Sequence, residues 1–475
     1  MNKNTIIGFL LILLILIGFS YLNKPSQAQL EAQKRYNDSI AIAQQTEALV
    51  KSLAEAQQQP IAEPVENLPD SVKIRQLTDK YGSFGISAQG EESFVTLEND
   101  LITLTLSTLG GRVYAVRLKE YTDYEKSVLS LFDGDESDFA FTFITANNHV
   151  LSSKDFYFQA LPGASDKQAV LRLNAGADQY LDFVYTLDDY MVDLDIVPHN
   201  LNSEFSPAMR SLDIQWMQKL RQQEKGRKFE ERYARLTYKY LADDVEELRE
   251  SKDDYKEISN KLKWIGYKDQ FFSSVLIAGE NFETARLDSR YIADNPTYLK
   301  EYNTSTSVTY HPNDSTRLHF YFGPNDYALL KKYDKTKFVG KNLELEKLVP
   351  LGWSLFRYVN QYIIIPIFNW LTSFSISLGL AILLLTLIIK TALFPLTYKS
   401  FMSSAKMRVL KPQIEAITAK HPGQENALTR QQKTMELYKQ VGVSPMAGCL
   451  PMLLQMPFLL ALFMFFPSAI ELRHE

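Results

Sequence analysis

A long apolar run that contains a single lysine constrains this chain more than any other feature. Residues 376–396 carry one charge, Lys390, and at about 1.5 Å per residue they are long enough to cross a hydrocarbon core of roughly 30 Å. A second apolar run, residues 449–466, carries one amide, Gln455. The sequence therefore predicts a membrane protein with spanning helices at 375–398 and 446–467.

The charge distribution predicts which regions lie on which side of the membrane. Residues 22–350 contain 39 basic and 51 acidic side chains, whereas residues 396–445 contain 8 basic and 3 acidic ones. Short loops rich in Lys and Arg stay in the cytoplasm, while large domains cross a membrane largely regardless of charge. We therefore expect residues 399–445 inside the cell and the large acidic region outside.

The N-terminal apolar run, residues 6–19, exports whatever follows it. It is either a membrane anchor or a cleaved signal, since Ser26-Gln27-Ala28 has the small residues that a signal peptidase uses. Residues 24–72 are rich first in Gln, Ala and Glu and then in Pro, a composition typical of a linker.

Apolar residues alternate with polar ones in several segments between residues 73 and 350. The pattern is clear at 102–107, at 181–197 around Asp188-Asp189, and at 304–322 around a turn at 311–314. Short alternating strands separated by turn residues are typical of an antiparallel sandwich. The charged stretch 243–263 is predicted to be helical, and the single cysteine, Cys449, excludes an internal disulfide.

Two helical segments flank the first span. Residues 351–374 place Ser354, Arg357 and Gln361 on one stripe, which suits an amphipathic helix lying in the membrane interface. Residues 399–445 predict a helical hairpin with helices at 400–420 and 427–441. Its basic side chains either form a solvated face that fixes topology, or also bind anionic lipid or ribosomal RNA; they include Lys406, Arg408, Lys411 and Lys433.

Lys390 is the most informative single residue. A charge at the centre of a spanning helix costs about 2.5 to 3.5 kcal/mol on insertion scales. Either Lys390 reaches back to the membrane surface, or it faces a wet groove; the N-terminal lean of helical side chains favours the groove. Thr386 lies one turn earlier on the same face, and Gln455 is the main polar residue of the next span. These three side chains are the predicted groove lining.

No catalytic motif stands out. The histidines lie at 149, 199, 311, 319, 421 and 474. They form no HExxH motif and, with a single cysteine in the chain, no metal site with paired cysteines; P-loop and GxSxG motifs are also absent. We expect no enzyme, no cofactor, no metal and no DNA partner. An alternative to a membrane protein that acts through this groove is a membrane-anchored periplasmic binding protein whose sandwich recognises a sugar or a peptide.

At these residues the sequence resembles the YidC family of membrane protein insertases, in the bacterial form with a large periplasmic domain. The exported region matches more loosely, around 99–118 and 264–277. The core motifs are Leu384-Leu385-Thr386-Leu387-Ile388-Ile389-Lys390, Phe394-Pro395-Leu396-Thr397, Ser404-Ala405-Lys406-Met407-Arg408-Val409-Leu410-Lys411-Pro412, Glu436-Leu437-Tyr438-Lys439, Gly442-Val443-Ser444-Pro445, Gly448-Cys449-Leu450-Pro451 and Gln455-Met456-Pro457-Phe458.

The resemblance implies a multi-domain membrane protein, with a periplasmic all-β supersandwich at 73–350 and an incomplete α-helical transmembrane core. It implies an uncleaved anchor at 1–23 and a multi-pass protein of the bacterial inner membrane. The function implied is insertion and chaperoning of nascent inner-membrane proteins through a cationic hydrophilic groove. The partners implied are those proteins, the ribosome, the Sec translocon and the lipid bilayer.

Two departures from the family pattern stand out. Lys390 occupies a position where the family usually has arginine, so the charge is kept but the planar guanidinium is lost. The family core has five spanning helices, and here residues 468–475 are the start of a periplasmic loop after the second. Either the chain is a fragment, which we expect, or another polypeptide supplies the remaining helices, or the chain is not a competent insertase.

Overall fold

The computed structural model describes residues 70–163, 165–249, 253–293, 295–336, 343–353, 355–423, 426–442 and 450–473. The chain divides into two compact units, Met1–Lys73 and Ile74–Glu475, and nearly all of the described residues belong to the second. The predicted anchor and the predicted linker up to residue 69 lie outside the described residues.

Antiparallel strands form two sheets in the described region between residues 94 and 324. The first sheet has four strands in chain order: β1 (Phe94–Glu98), β2 (Ile102–Ser107), β3 (Arg112–Thr122) and β4 (Val128–Asp133). The second contains β5 (Ser137–Ile144), β6 (Val150–Ser152), β7 (Gln159–Pro162), β8 (Gln168–Asn174), β9 (Tyr180–Asp188), β10 (Met191–His199), β11 (Ser211–Arg221), β12 (Arg235–Tyr240), β13 (Val245–Glu247), β14 (Asp254–Ile258), β15 (Leu262–Lys268), β16 (Phe272–Tyr291), β17 (Tyr298–Thr309) and β18 (Thr316–Pro324).

The strands follow the alternation in the sequence. In β2 the side chains of Ile102, Leu104 and Leu106 are buried and the intervening threonines are half-buried. The strands predicted within 181–197 and 304–322 are confirmed as β9–β10 and β17–β18. Period-two burial of this kind places one face of each strand in the core.

Aromatic contacts join the two sheets into a sandwich. The Phe132 ring of β4 meets the Phe322 ring of β18 with centroids 5.6 Å apart. The Tyr185 hydroxyl of β9 donates to the Gly111 carbonyl at the β2–β3 turn, 2.7 Å away. Gly111 has φ 63°, and a Cβ there would lie 2.9 Å from the Phe158 ring, so this close approach requires glycine. The predicted all-β sandwich is confirmed.

The charged stretch 243–263 is not helical, so that prediction was wrong. It contains β13 and β14, and it leads into β15. The charged side chains of this stretch form ion pairs between strands instead. Lys256 Nζ lies 2.7 Å from Glu246 Oε2, and Arg235 of β12 pairs with Glu247. Charge density marks an exposed face, and an exposed face occurs on strands as well as on helices.

The described residues also form nine α-helices and one π-helical turn. The α-helices outside the C-terminal region are α1 (Asp70–Tyr81), α2 (Arg227–Glu230) and α3 (Tyr327–Thr336). Those of the C-terminal region are α4 (Leu355–Val359), which a π-helical turn (Asn360–Ile364) joins to α5 (Ile365–Thr372), then α6 (Leu378–Val409), α7 (Lys411–Lys420), α8 (Ala427–Val441) and α9 (Leu450–Phe465). Short 3₁₀ turns lie at Gly82–Ser87, Gly134–Glu136, Ser153–Asp155, Leu345–Leu348, Phe466–Ser468 and Ile470–Leu472.

The helix α6 is longer than the sequence predicts. It begins at the Ser377 cap, whose hydroxyl accepts from the Leu380 amide at 3.4 Å, and it continues past residue 398 to Val409. The helix predicted at 400–420 is therefore divided between α6 and α7. Pro412 lies in the first turn of α7, where proline is favoured because its missing amide hydrogen is not needed there.

Candidate functional site

The two faces of α6 differ sharply in burial. Ala381, Leu385 and Ile389 form its buried face, whereas Thr386 and Lys390 are exposed. Of the helices in the described region, α6 alone is long and apolar enough to cross a membrane, over Leu378–Pro395. The predicted groove residues on this helix therefore share one face, opposite the packed side.

Lys390 lies in a stripe of exposed apolar side chains. Leu383, Leu387 and Phe394 on the same side are all more than half exposed. Within the described residues no ion pair or hydrogen bond engages the Lys390 ammonium, while the Thr386 hydroxyl donates to the Ile382 carbonyl at 2.9 Å. The charge is thus available to a molecule that approaches this face.

Gln455 is half-buried in α9, which packs against both α6 and α4. No described hydrogen bond links Gln455 to Thr386 or Lys390. The structure therefore brings two of the three predicted lining residues onto one face and leaves the third on the neighbouring helix. The second predicted span, 446–467, corresponds to α9, and a shorter apolar helical stretch lies at Gln455–Ser468.

The end of α6 and the hairpin α7–α8 present basic residues to solvent. Lys406, Arg408, Lys411 and Lys433 are all exposed, and Lys433 pairs with Glu436 at 3.3 Å. Neither α7 nor α8 has a buried residue in the described part of the chain. The hairpin therefore contributes a surface rather than a core.

A row of exposed aromatic side chains follows α4 to α5, the predicted interfacial helix, and sequence reasoning missed it. Trp353 and Trp370 are 71% and 56% exposed, and Tyr358 and Tyr362 are stacked with centroids 6.1 Å apart. Arg357 and Gln361 of the predicted polar stripe are only half-exposed. Tyr358, Tyr362 and Trp370 are separated by four and eight positions, and this helical spacing was a signal that could have revealed the row.

The opposite side of the interfacial helix is buried against α9. The Phe368 ring meets the Phe465 ring with centroids 5.5 Å apart. Asn360, fully buried in the π-helical turn, donates through Nδ2 to the Leu351 carbonyl at 2.9 Å. This packing leaves the aromatic row facing outward.

The sandwich contains an open cleft of about 570 Å³. Arg317 and His319 of β18 line it, paired with Asp195 (2.6 Å) and Asp193 (2.7 Å) of β10. The Lys263 ammonium beside them is buried and donates to the carbonyls of Ala278, Gly279 and Glu280. The lining of the cleft carries charges of both signs.

Comparisons with known proteins agree with this architecture. The family model for the 60Kd inner membrane protein matches residues 370–475, and that for the YidC periplasmic domain matches residues 94–366. The Membrane protein insertase YidC of Azobacteroides pseudotrichonymphae is 59% identical, over 100% of this chain and 75% of its own length. That of Parabacteroides distasonis is 53% identical, over 100% and 76%.

Among solved structures, a crystal structure of an active YidC insertase with its first transmembrane domain resolved is 18% identical. It covers 84% of this chain and 78% of its own, with a TM-score of 0.30. The chain spans about three quarters of the length of the two relatives above. On the family models and the full-chain identities, the chain belongs to the YidC family of membrane protein insertases.

Proposed function

We propose that this chain inserts nascent membrane proteins into the inner membrane and helps them fold, with the exposed face of α6 as the contact for the incoming chain. The observation that carries the proposal is the exposed cation of Lys390 within an apolar helix of membrane length. A charge at that depth is costly, so it marks a functional site by default. No covalent chemistry is required.

The proposed mechanism is electrostatic. A polar segment must pass hydrocarbon to enter a bilayer, and a wet groove lowers that barrier. Lys390 attracts acidic residues in the short tail of the incoming chain, more strongly than in bulk water because the surroundings are less polar. Thr386 lies one turn earlier on the same face, and Gln455 belongs to the neighbouring helix α9.

The proposal includes a multi-pass topology in the bacterial inner membrane. In this proposal the sandwich lies outside and α7–α8 lies inside, and the matched family models support it because they describe an inner membrane protein and a periplasmic domain. The ribosome and the Sec translocon are proposed partners. The basic, exposed surface of the hairpin and of the end of α6 suits ribosomal RNA. Two exposed apolar residues there, Val409 of α6 and Leu428 of α8, suit a protein partner.

The test is charge reversal at Lys390. In a strain depleted of its own insertase and complemented with the intact gene, Lys390→Glu should slow insertion of substrates with acidic tails roughly tenfold or more, because attraction becomes repulsion. Lys390→Arg should retain insertion. Lys119→Glu, a reversal on the exposed surface of the sandwich, is the matched control.

A second set of substrates isolates the charge effect. Substrates whose tail carboxylates are replaced by amides should be insensitive to Lys390→Glu. Normal insertion of acidic-tailed substrates by the Lys390→Glu protein would show that the groove charge plays no part.

The cleft in the sandwich supports a second candidate, a periplasmic binding activity for a sugar or a peptide. Its polar lining around His319 and Arg317 is the observation that favours it. Replacing both residues, as His319→Asn and Arg317→Gln, should abolish ligand binding and leave insertion intact if the two activities coexist. Loss of insertion in this variant would instead make the cleft part of the insertase.

A further inference from the structure

One end of the sandwich is packed against the segment that follows α9. Gln270, buried in the β15–β16 turn, donates through Nε2 to the Pro467 carbonyl at 2.7 Å. The Arg473 side chain is only 4% exposed; its Nε donates to Glu224 Oε1 at 2.5 Å. The guanidinium also lies over the Phe272 ring, 4.8 Å from the centroid. We call this contact the sandwich–core joint.

The sandwich side of the joint is acidic and buried. Glu224 lies in the loop between β11 and α2. Glu230, fully buried at the end of α2, accepts from the amides of Gln223 (2.7 Å) and Glu224 (3.2 Å). Asp269 of the β15–β16 turn is 3% exposed, and its charge adds to burial in raising the pKa of Glu230. Two buried carboxyls that interact in this way each disfavour the charged form of the other.

Arg473 offsets part of the negative charge at the joint. The acidic groups on the sandwich side are Glu224, Glu230 and Asp269, and Arg473 contributes a positive charge from the other side. The remaining nearby cation, Lys268, is buried beside Asp269 and also interacts with Glu247 and Arg235. A buried charge that loses its partner is strongly destabilising, whereas removing both partners is often tolerated.

We propose that Arg473 is a positioning residue that docks the periplasmic sandwich onto the helical core by neutralising the buried carboxylates of Glu224, Glu230 and Asp269. The charge of Arg473 lowers the pKa of Asp269, although burial raises that pKa more. The joint therefore fixes where the sandwich lies relative to α9. This inference goes beyond insertion by the Lys390 face and does not depend on it.

Hydrogen exchange at the joint tests the proposal on the full chain in detergent. The reporters are the Asp269 amide, bonded to the Phe272 carbonyl at 2.8 Å, and the Asn325 amide, bonded to the Phe271 carbonyl at 2.7 Å. Arg473→Gln and Glu224→Gln should each speed exchange at these amides about tenfold. Arg473→Lys should have a smaller effect.

The double variant separates charge compensation from general damage. Arg473→Gln with Glu224→Gln should exchange more slowly than either single variant, because neither charge is left alone. Arg117→Gln removes an exposed partner of Asp133, 2.9 Å away, and should leave the reporters unchanged. Amides of β2 report whether the sandwich itself remains folded.

Two results would overturn the proposal. One is unchanged exchange at the reporter amides in the Arg473→Gln protein. The other is simple additivity of the two single effects in the double variant. If Arg473→Gln unfolds β2 as well, restoration of the fold by the added Glu224→Gln supports the proposal, and continued unfolding refutes it.

Discussion

At the scale of single residues, the buried carboxyl pair is the most unusual chemistry in the sandwich. Burial raises the pKa of Asp269 to about 7 and, with the added charge of Asp269, that of Glu230 to about 11. In the folded protein these groups hold protons that the unfolded chain releases above about pH 4. Their contribution to stability is therefore complete in acid and declines as the pH rises.

Replacing Asp269 should flatten this pH dependence. Between pH 5 and 7 the folded protein binds more protons than the unfolded one at this site, so stability falls by up to about 1.4 kcal/mol per pH unit. Denaturant unfolding of Asp269→Asn across pH 5–8 should show a shallower decline than the wild type.

Glu246 is the control residue for this prediction, because its pKa is lowered rather than raised. Hydrogen bonds from Lys256 and Tyr238 lower the pKa of Glu246, so its contribution is lost only in acid. Glu246→Gln should keep the wild-type slope between pH 5 and 8. An unchanged slope in Asp269→Asn would mean that Asp269 titrates as it does in the unfolded chain.

At the scale of elements, the turn before the interfacial helix depends on one glycine. Gly352 has φ 85°, and a Cβ there would lie 2.2 Å from the Met464 sulfur of α9. Gly352→Ala should therefore destabilise the folded chain by about 2 to 4 kcal/mol, combining backbone strain with overpacking. Thermal unfolding in detergent is the measurement.

Two variants separate the contributions at Gly352. Gly442→Ala, at a comparable φ of 68° with no atom within 4 Å of a new Cβ, should cost only the backbone strain of about 1 kcal/mol. Adding Met464→Ala to the Gly352→Ala protein should restore part of the lost stability. Equal losses at Gly352 and Gly442 would show that contact with α9 does not matter.

Local sequence patterns predict where helices and strands lie, whereas contacts between distant residues determine which face of each element is buried. The bounds of β2 match the predicted 102–107 because alternation in six residues is a local signal. The outward face of the interfacial helix depends on Phe368 meeting Phe465, 97 positions away. The pairing of Arg473 with Glu224 spans 249 positions. Lys390 was identifiable because charge within an apolar run is visible without knowing any neighbour.

At the scale of the whole molecule, the four tryptophans fall into two classes. Trp216 and Trp264 are buried in the sandwich, whereas Trp353 and Trp370 belong to the exposed aromatic row. Tryptophan favours the headgroup region of a bilayer. In vesicles that contain brominated phospholipid, the fluorescence of the second class should be quenched and that of the first should not.

Variants assign the quenching to particular residues. The Trp353→Phe, Trp370→Phe double variant should lose most of the quenching by brominated lipid, while Trp216→Phe should keep it. Persistent quenching in the double variant would mean that the aromatic row does not meet lipid.

Pro395 gives α6 a mechanical property that its length alone conceals. A proline within a helix removes one backbone hydrogen bond, so bending stiffness is lowest at that turn. The part of α6 beyond it, residues 396–409, is a lever of about 20 Å. A bend of roughly 10° at Pro395 would swing the far end of this lever by about 4 Å and leave the segment that holds Lys390 upright. A force on the hairpin therefore bends α6 at Pro395 and does not displace Lys390.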